Sequence, residues 1–121
     1  MDKEIIKEHH CPAETFVKIL GGKYKIIIVF KLRDKILRYN EIQKEIPKAT
    51  PKMLSQQLKE LEADGIINRV LYPTIPPKTE YSLTELGKTL IPVVDEICNW
   101  GKSYINTYKK YNEQRIIEKL N

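Results

Sequence analysis

The sequence is short of cysteine, histidine, arginine and long apolar runs, and each shortage removes a class of protein. Two cysteines, Cys11 and Cys98, stand in 121 residues, too few for the disulfide framework of a small secreted domain. The histidines are His9 and His10, beside Cys11, with no second cluster of ligand types at zinc spacing, so no metal is expected. The longest apolar run, Ile26 to Phe30, is far too short to span a bilayer. Met1-Asp2-Lys3-Glu4 lacks the apolar stretch of a secretion signal, so the expectation is a cytoplasmic protein with no membrane attachment. Gly21-Gly22-Lys23 follows a helical pattern and lacks the spacing of a phosphate loop. No histidine–carboxylate–nucleophile grouping stands out either, so neither an enzyme nor a cofactor is expected.

What is present fits one soluble domain able to bury its own core, with 41% hydrophobic and 31% charged residues. The net charge of +5 favours a polyanionic partner. Lysines number 17 and arginines 4, a balance suited to attracting phosphates as point charges more than to bidentate base recognition. Residues 38–82 hold seven basic against six acidic side chains. Binding a nucleic acid therefore depends on which face carries the cations.

Residues 1–10 are polar and read as a flexible N-terminus. Pro12 opens a helix with Ala13, Phe16, Val17 and Leu20 on one face, and Gly21-Gly22 stops it, the first glycine suiting a left-handed C′ position. Tyr24 to Arg33 reads as a buried helix. A strand competes over Ile26–Phe30, where β-branched residues dominate, and the charged flanks favour helix. Asn40 is expected to cap a third helix, with Gln43 at the reciprocal position and Ile42 and Ile46 inward. Pro47-Lys48-Ala49 makes a turn, Thr50-Pro51 starts a fourth helix running to Asp64, and Gly65 ends it. Strand-like Ile66–Tyr72 and Thr79–Leu83 flank Pro73 to Lys78, where three prolines in six residues make a stiff projecting loop. Thr84 is expected to cap a long helix carrying Leu86, Leu90, Val93, Val94 and Ile97, kinked at Pro92. The apolar pattern resumes after Trp100-Gly101. Helix, turn, capped helix and hairpin in this order are the grammar of a winged helix-turn-helix, mainly α with a small β-hairpin wing (α+β).

At 100° per residue, the fourth helix separates Leu54, Leu58 and Leu61 from an opposite face of Lys52, Ser55, Gln56 and Lys59. Short polar side chains near the helix start can read base edges and lysines can neutralise phosphates. With Thr50 at the cap, these are the candidate DNA contacts, and Gln56 is the candidate base reader because its amide can pair bidentately with adenine. Lys78 and Thr74, placed at the hairpin tip, are expected to reach phosphates or a minor groove. Arg69, on the first strand, either touches backbone or pairs with a glutamate. Arg38 and Tyr39 suit phosphate contacts by position, with core packing the stronger role for Tyr39.

Cys11-Pro12, Gly21-Gly22-Lys23-Tyr24, Arg38-Tyr39-Asn40-Glu41-Ile42, the run Met53 to Glu62 with Asp64-Gly65, Tyr72-Pro73, Pro76-Pro77, Glu80 to Thr84, Leu86-Gly87 and Trp100-Gly101 together resemble the HxlR-type regulators. The resemblance spans residues 11–101 in matching order and spacing. Tyr24 and Tyr39 stand where that family usually has Trp and Phe, each keeping an aromatic body. The resemblance implies a bacterial transcription factor, a homodimer on double-stranded operator DNA, with the first and C-terminal helices forming the dimer interface. The expected layout is a flexible segment 1–10, a winged helix-turn-helix domain with dimerisation helices over 11–101, and a C-terminal dimerisation helix over 102–121. Dimerisation is expected through Phe16, Leu20, Ile97, Tyr104, Ile105 and Tyr108. Residues 102–120 independently carry more apolar side chains than a terminal helix leaves in water, including Tyr111, Ile116, Ile117 and Leu120.

Cys11 is placed at a helix N-terminus, near Lys7, His9 and His10, where a thiolate is favoured. Some HxlR-type proteins use the matching cysteine to sense oxidants or electrophiles. An inert small residue at a helix start is the other reading of Cys11, and Cys98, one turn from Val94, reads as core. The rival function is a winged-helix module for protein–protein docking, for which Glu60, Glu62 and Asp64 offer an acidic patch. The operator and any effector are not legible in the sequence.

Overall fold

A computed structural model describes residues 11–120; the expected flexible segment 1–10, with Lys7, His9 and His10, lies outside the described residues. Helix α1 (Pro12–Leu20) starts on its proline. Gly21 then has φ −77°, so the expected left-handed cap is not formed. Glycine is needed for another reason: a Cβ at Gly21 would collide with the Val17 carbonyl oxygen.

Helix α2 (Lys25–Lys31) decides the helix-or-strand alternative for helix. It buries Lys25, Ile28, Val29 and Leu32, an i, i+3, i+4, i+7 stripe. Asp34 turns the chain at φ 54° into a short strand, β1 (Leu37–Arg38), that sequence reasoning had not anticipated. Helix α3 (Tyr39–Glu45) follows at once, with Arg38 at its N-cap. The expected cap at Asn40 gives way to Glu41, whose Oε1 accepts the Arg38 backbone N–H at 2.9 Å. Gln43 reaches forward instead of back: its Nε2 donates to the Ala49 carbonyl at 2.8 Å and to that of Ile46 at 3.5 Å, fastening the turn.

Helix α4 (Pro51–Ala63) has the expected start, with Thr50 Oγ1 accepting the Met53 N–H at 3.1 Å. Gly65 leaves it at φ +77°, a conformation that costs other residues energy. Strands β2 (Ile67–Tyr72) and β3 (Lys78–Leu83) then form the hairpin, paired from Ile67↔Leu83 to Tyr72↔Lys78. With β1 pairing β3 antiparallel, the sheet order is β1-β3-β2. The fold is a winged helix-turn-helix, mostly helical with a small antiparallel sheet.

Thr84 caps only a short helix, α5 (Glu85–Lys88), by accepting the Gly87 N–H at 2.9 Å. The expected single long helix is thus two. Its main part is α6 (Ile91–Leu120), where Pro92 stands in the first turn and needs no intrahelical donor.

The chain divides into two units at Ile91–Pro92. In the first, Ile28, Leu32, Ile42, Leu54, Leu58, Leu61 and Ile67 are fully buried, each contributing roughly 1.5–3 kcal/mol of hydrophobic stabilisation. The second is α6 itself, about 45 Å of helix by its residue count. It exposes Ile97, Trp100, Tyr104, Ile105, Tyr108, Tyr111, Ile116 and Ile117. Trp100 stacks on Tyr104 at 5.3 Å between ring centroids, and Tyr104 on Tyr108 at 5.9 Å.

Candidate nucleic-acid interface

Leu54, Leu58 and Leu61 anchor α4 on the core, which turns Lys52, Gln56 and Lys59 to solvent and leaves Ser55 half-buried. The two adjacent glutamines part company here. Gln56 is exposed, whereas Gln57 is buried and its Oε1 accepts the Tyr24 backbone N–H at 2.8 Å, tying the start of α2 to α4. Ser55 Oγ donates to Tyr39 Oη at 3.4 Å, and that hydroxyl donates to the Pro51 carbonyl at 3.3 Å. Tyr39 therefore braces α3 against the start of α4, in keeping with a packing role.

Three recesses gather the expected contacts. One of about 430 Å³ runs along α4 beside Thr50, Lys52, Met53 and Gln56. Another, about 310 Å³, brings Arg69 of β2 to Ser55 and Lys59. The third, about 530 Å³, sets Arg38 and Tyr39 opposite the wing residues Thr74 to Thr79. Among the described residues no ion pair engages the side chains of Arg38, Lys52, Lys59 or Arg69. The glutamate pairing open to Arg69 is not formed, and these cations are available to phosphates.

Lys78 differs. It stands on the last rung of the hairpin rather than at the tip, its Nζ 3.6 Å from Glu80 and 4.6 Å above the Tyr72 ring. The tip is Pro73 to Pro77, steadied by Thr74 Oγ1 donating to the Pro76 carbonyl at 2.8 Å.

Sequence reasoning missed Lys25 and passed over Glu60 except as an acidic patch. The Lys25 side chain is 6% exposed, and its Nζ lies 2.6 Å from Glu60 Oε2. Glu60 Oε1 accepts the Gln56 Nε2–H at 2.9 Å. The Lys25 ammonium first, and the Gln56 amide second, hold the Glu60 carboxyl below the usual carboxylate range. The available signal was spacing: Lys25 shares its helix face with Ile28, Val29 and Leu32.

The remaining expected residues fall on α1 and α6. Cys11 is exposed at the N-cap of α1, and Cys98 is half-buried on α6. Phe16 is half-buried, whereas Leu20 is 2% exposed within its own chain and offers no surface to a partner. Val17, on the same face of α1 by its spacing, is 63% exposed. Among the described residues, no helix is long and apolar enough to cross a membrane and no group of three metal-ligating side chains occurs.

The HxlR-like helix-turn-helix family model matches residues 19–109. An uncharacterized HTH-type transcriptional regulator of Methanothermobacter thermautotrophicus is 48% identical over 97 residues, covering 80% of this chain and 74% of that protein. Another, YdeP of Bacillus subtilis, is 47% identical over 108 residues, covering 89% and 84%. The solved structure of the redox regulator HypR in its oxidized form superposes with a TM-score of 0.73 at 47% identity, covering 77% of this chain and 96% of that one.

Proposed function

The chain belongs to the HxlR-like helix-turn-helix family and is a transcriptional regulator of the winged-helix type, not an enzyme, and from that premise we propose that it binds operator DNA sequence-specifically as a homodimer. Helix α4 enters the major groove. Gln56 contacts a base edge, and Lys52, Lys59, Arg69 and Arg38 neutralise phosphates on either side. Thr50 and Ser55 lie close enough to the same face to add hydrogen bonds. The wing, residues 73–78, lies on the backbone or in the adjacent minor groove.

The observation that carries this reading is the outward face of α4, where a polar amide and unpaired lysines stand on a helix whose other face is locked into the core. The partnered Lys78 contributes less than the free cations, since Glu80 already offsets its charge. Counterion release makes the affinity fall steeply with salt. Titrating a labelled genomic duplex with protein at a series of salt concentrations tests this. Salt-insensitive binding, or retention of proteins and no DNA, would favour the docking-module reading instead.

The homodimer reading draws on α6. Exposed Tyr104, Ile105 and Tyr108, with Ile97, form an apolar surface on α6 that a second copy would cover, and α1 by itself offers half-buried Phe16 and exposed Val17 to a partner. Two copies of α4 would then address major grooves about 34 Å apart and favour a near-palindromic site. Light scattering at micromolar concentration tests it, and a monomer there contradicts it.

Cys11 is the candidate sensor of oxidants or electrophiles. Its exposure at a helix start supports this reading, as does the similarity to a redox regulator. Comparing electrophile-treated wild type and Cys11→Ser for DNA release decides the role; equal sensitivity eliminates it.

A further inference from the structure

Gln56 is exposed yet not loose. One carboxylate holds two neighbours with separate oxygens: Glu60 Oε2 lies 2.6 Å from the buried Lys25 ammonium, and Glu60 Oε1 accepts the Gln56 amide N–H at 2.9 Å. The chain of contacts starts in the α1–α2 turn. A Cβ at Gly22 would come within 2.9 Å of Lys25 Cδ and Cε, so the glycine leaves room for the lysine stem to lie flat. Lys25 in turn shares its helix face with core residues and has little freedom to move.

We infer that Glu60 is a specificity-determining positioning residue: clamped by Lys25, it fixes the Gln56 side-chain amide in the orientation that meets a base edge. This rests on the reading of Gln56 as the base-contacting residue. The Gln56 amide has two N–H donors and a carbonyl oxygen. Giving one N–H to Glu60 leaves one N–H and the oxygen, the pair that an adenine edge requires. A free glutamine would lose much of its rotamer freedom on binding, and the clamp removes that loss in advance. It also sets a carboxylate near a polyanion, which the Lys25 ammonium neutralises.

That carboxylate separates positioning from simple structural support. Removing it takes a negative charge away from the DNA-facing side, so total affinity for DNA holds or rises while selectivity falls. A residue needed only for folding does not produce that split.

The test uses the full-length protein with a randomised duplex library, comparing base preferences position by position with affinity for unselected duplex. Gln56→Ala should flatten one position per half-site by about tenfold. Glu60→Ala should flatten the same position by about threefold or more, with affinity for unselected duplex unchanged or higher. Gly22→Ala, whose Cβ would displace the Lys25 stem, should act in the same direction. In a Gln56→Ala background, Glu60→Ala should add nothing at that position.

If Gln56→Ala flattens a position and Glu60→Ala leaves it intact, positioning is overturned and the Gln56 reading stands. If Glu60→Ala weakens every position and unselected duplex alike, with a lowered melting temperature, its role is structural and the inference fails. If Gln56→Ala alters no position, the base-reading assignment falls and this inference with it.

Discussion

Two identical residues side by side, Gln56 and Gln57, should answer substitution in opposite ways. Gln57 is 8% exposed, and its Oε1 is the acceptor for the Tyr24 N–H, itself on a residue 7% exposed. Gln57→Leu preserves the volume and removes the acceptor, stranding a buried donor at the start of α2. Losing the bond and leaving the donor desolvated costs about 2 kcal/mol. For a chain of this size that corresponds to a fall in melting temperature of roughly 8 °C. Gln56→Ala alters an exposed position and should change stability by less than about 0.5 kcal/mol. Urea unfolding of the three proteins at one fixed protein concentration measures both, because a dimer's apparent stability depends on concentration. DNA titration supplies the converse: folded Gln57→Leu keeps its sequence selectivity, and Gln56→Ala loses it. Equal stability for Gln57→Leu and wild type would refute the Gln57–Tyr24 tie, as would a larger loss for Gln56→Ala.

Other expectations follow from the same contacts. Lys52→Ala, Lys59→Ala and Arg69→Ala should each reduce the slope of log affinity against log salt by about 1, whereas Lys78→Ala, already paired with Glu80, should change it less. Gln43→Ala removes the donor to the Ala49 and Ile46 carbonyls and should destabilise the chain by about 1–2 kcal/mol in denaturant titrations; no change would show that the turn does not need this fastening. Tyr104→Glu with Tyr108→Glu should shift light scattering from dimer to monomer, and an unchanged dimer places the interface elsewhere. The Glu60 carboxyl, held below its ordinary range chiefly by Lys25, stabilises the fold above the unfolded carboxylate pKa of about 4.3. That contribution fades as pH falls through the lower folded value. Glu60→Gln should therefore flatten the acid limb of a stability–pH curve, and an unaltered limb contradicts the pairing.

The elements carried by strong periodicity or by proline and glycine were legible in the sequence. Thr50-Pro51 announced α4, Gly65 its end, and three prolines the hairpin loop. Three-dimensional partners decided what was not legible. Strand β1 is two residues long and exists because β3 pairs with it. Glu41 displaced Asn40 as the group satisfying the start of α3, since the helix begins two residues earlier than an asparagine cap would place it. Thr84 does cap a helix, but the chain breaks again before Ile91. The outward face of α4 followed from its leucine spacing, while the roles of Gln57 and Lys25 did not. Both are polar residues on apolar stripes, and only the opposing groups, the Tyr24 N–H and the Glu60 carboxylate, explain their burial.

The central claim is that the outward face of α4 reads DNA sequence. The most direct measurement is to sequence the genomic fragments that purified protein retains at physiological salt, for wild type and Gln56→Ala in parallel. Wild type should retain a small set of fragments sharing a near-palindrome, with half-sites about one helical turn apart, and Gln56→Ala should lose that enrichment. Fragments retained without a shared sequence, or an identical set from both proteins, would contradict it.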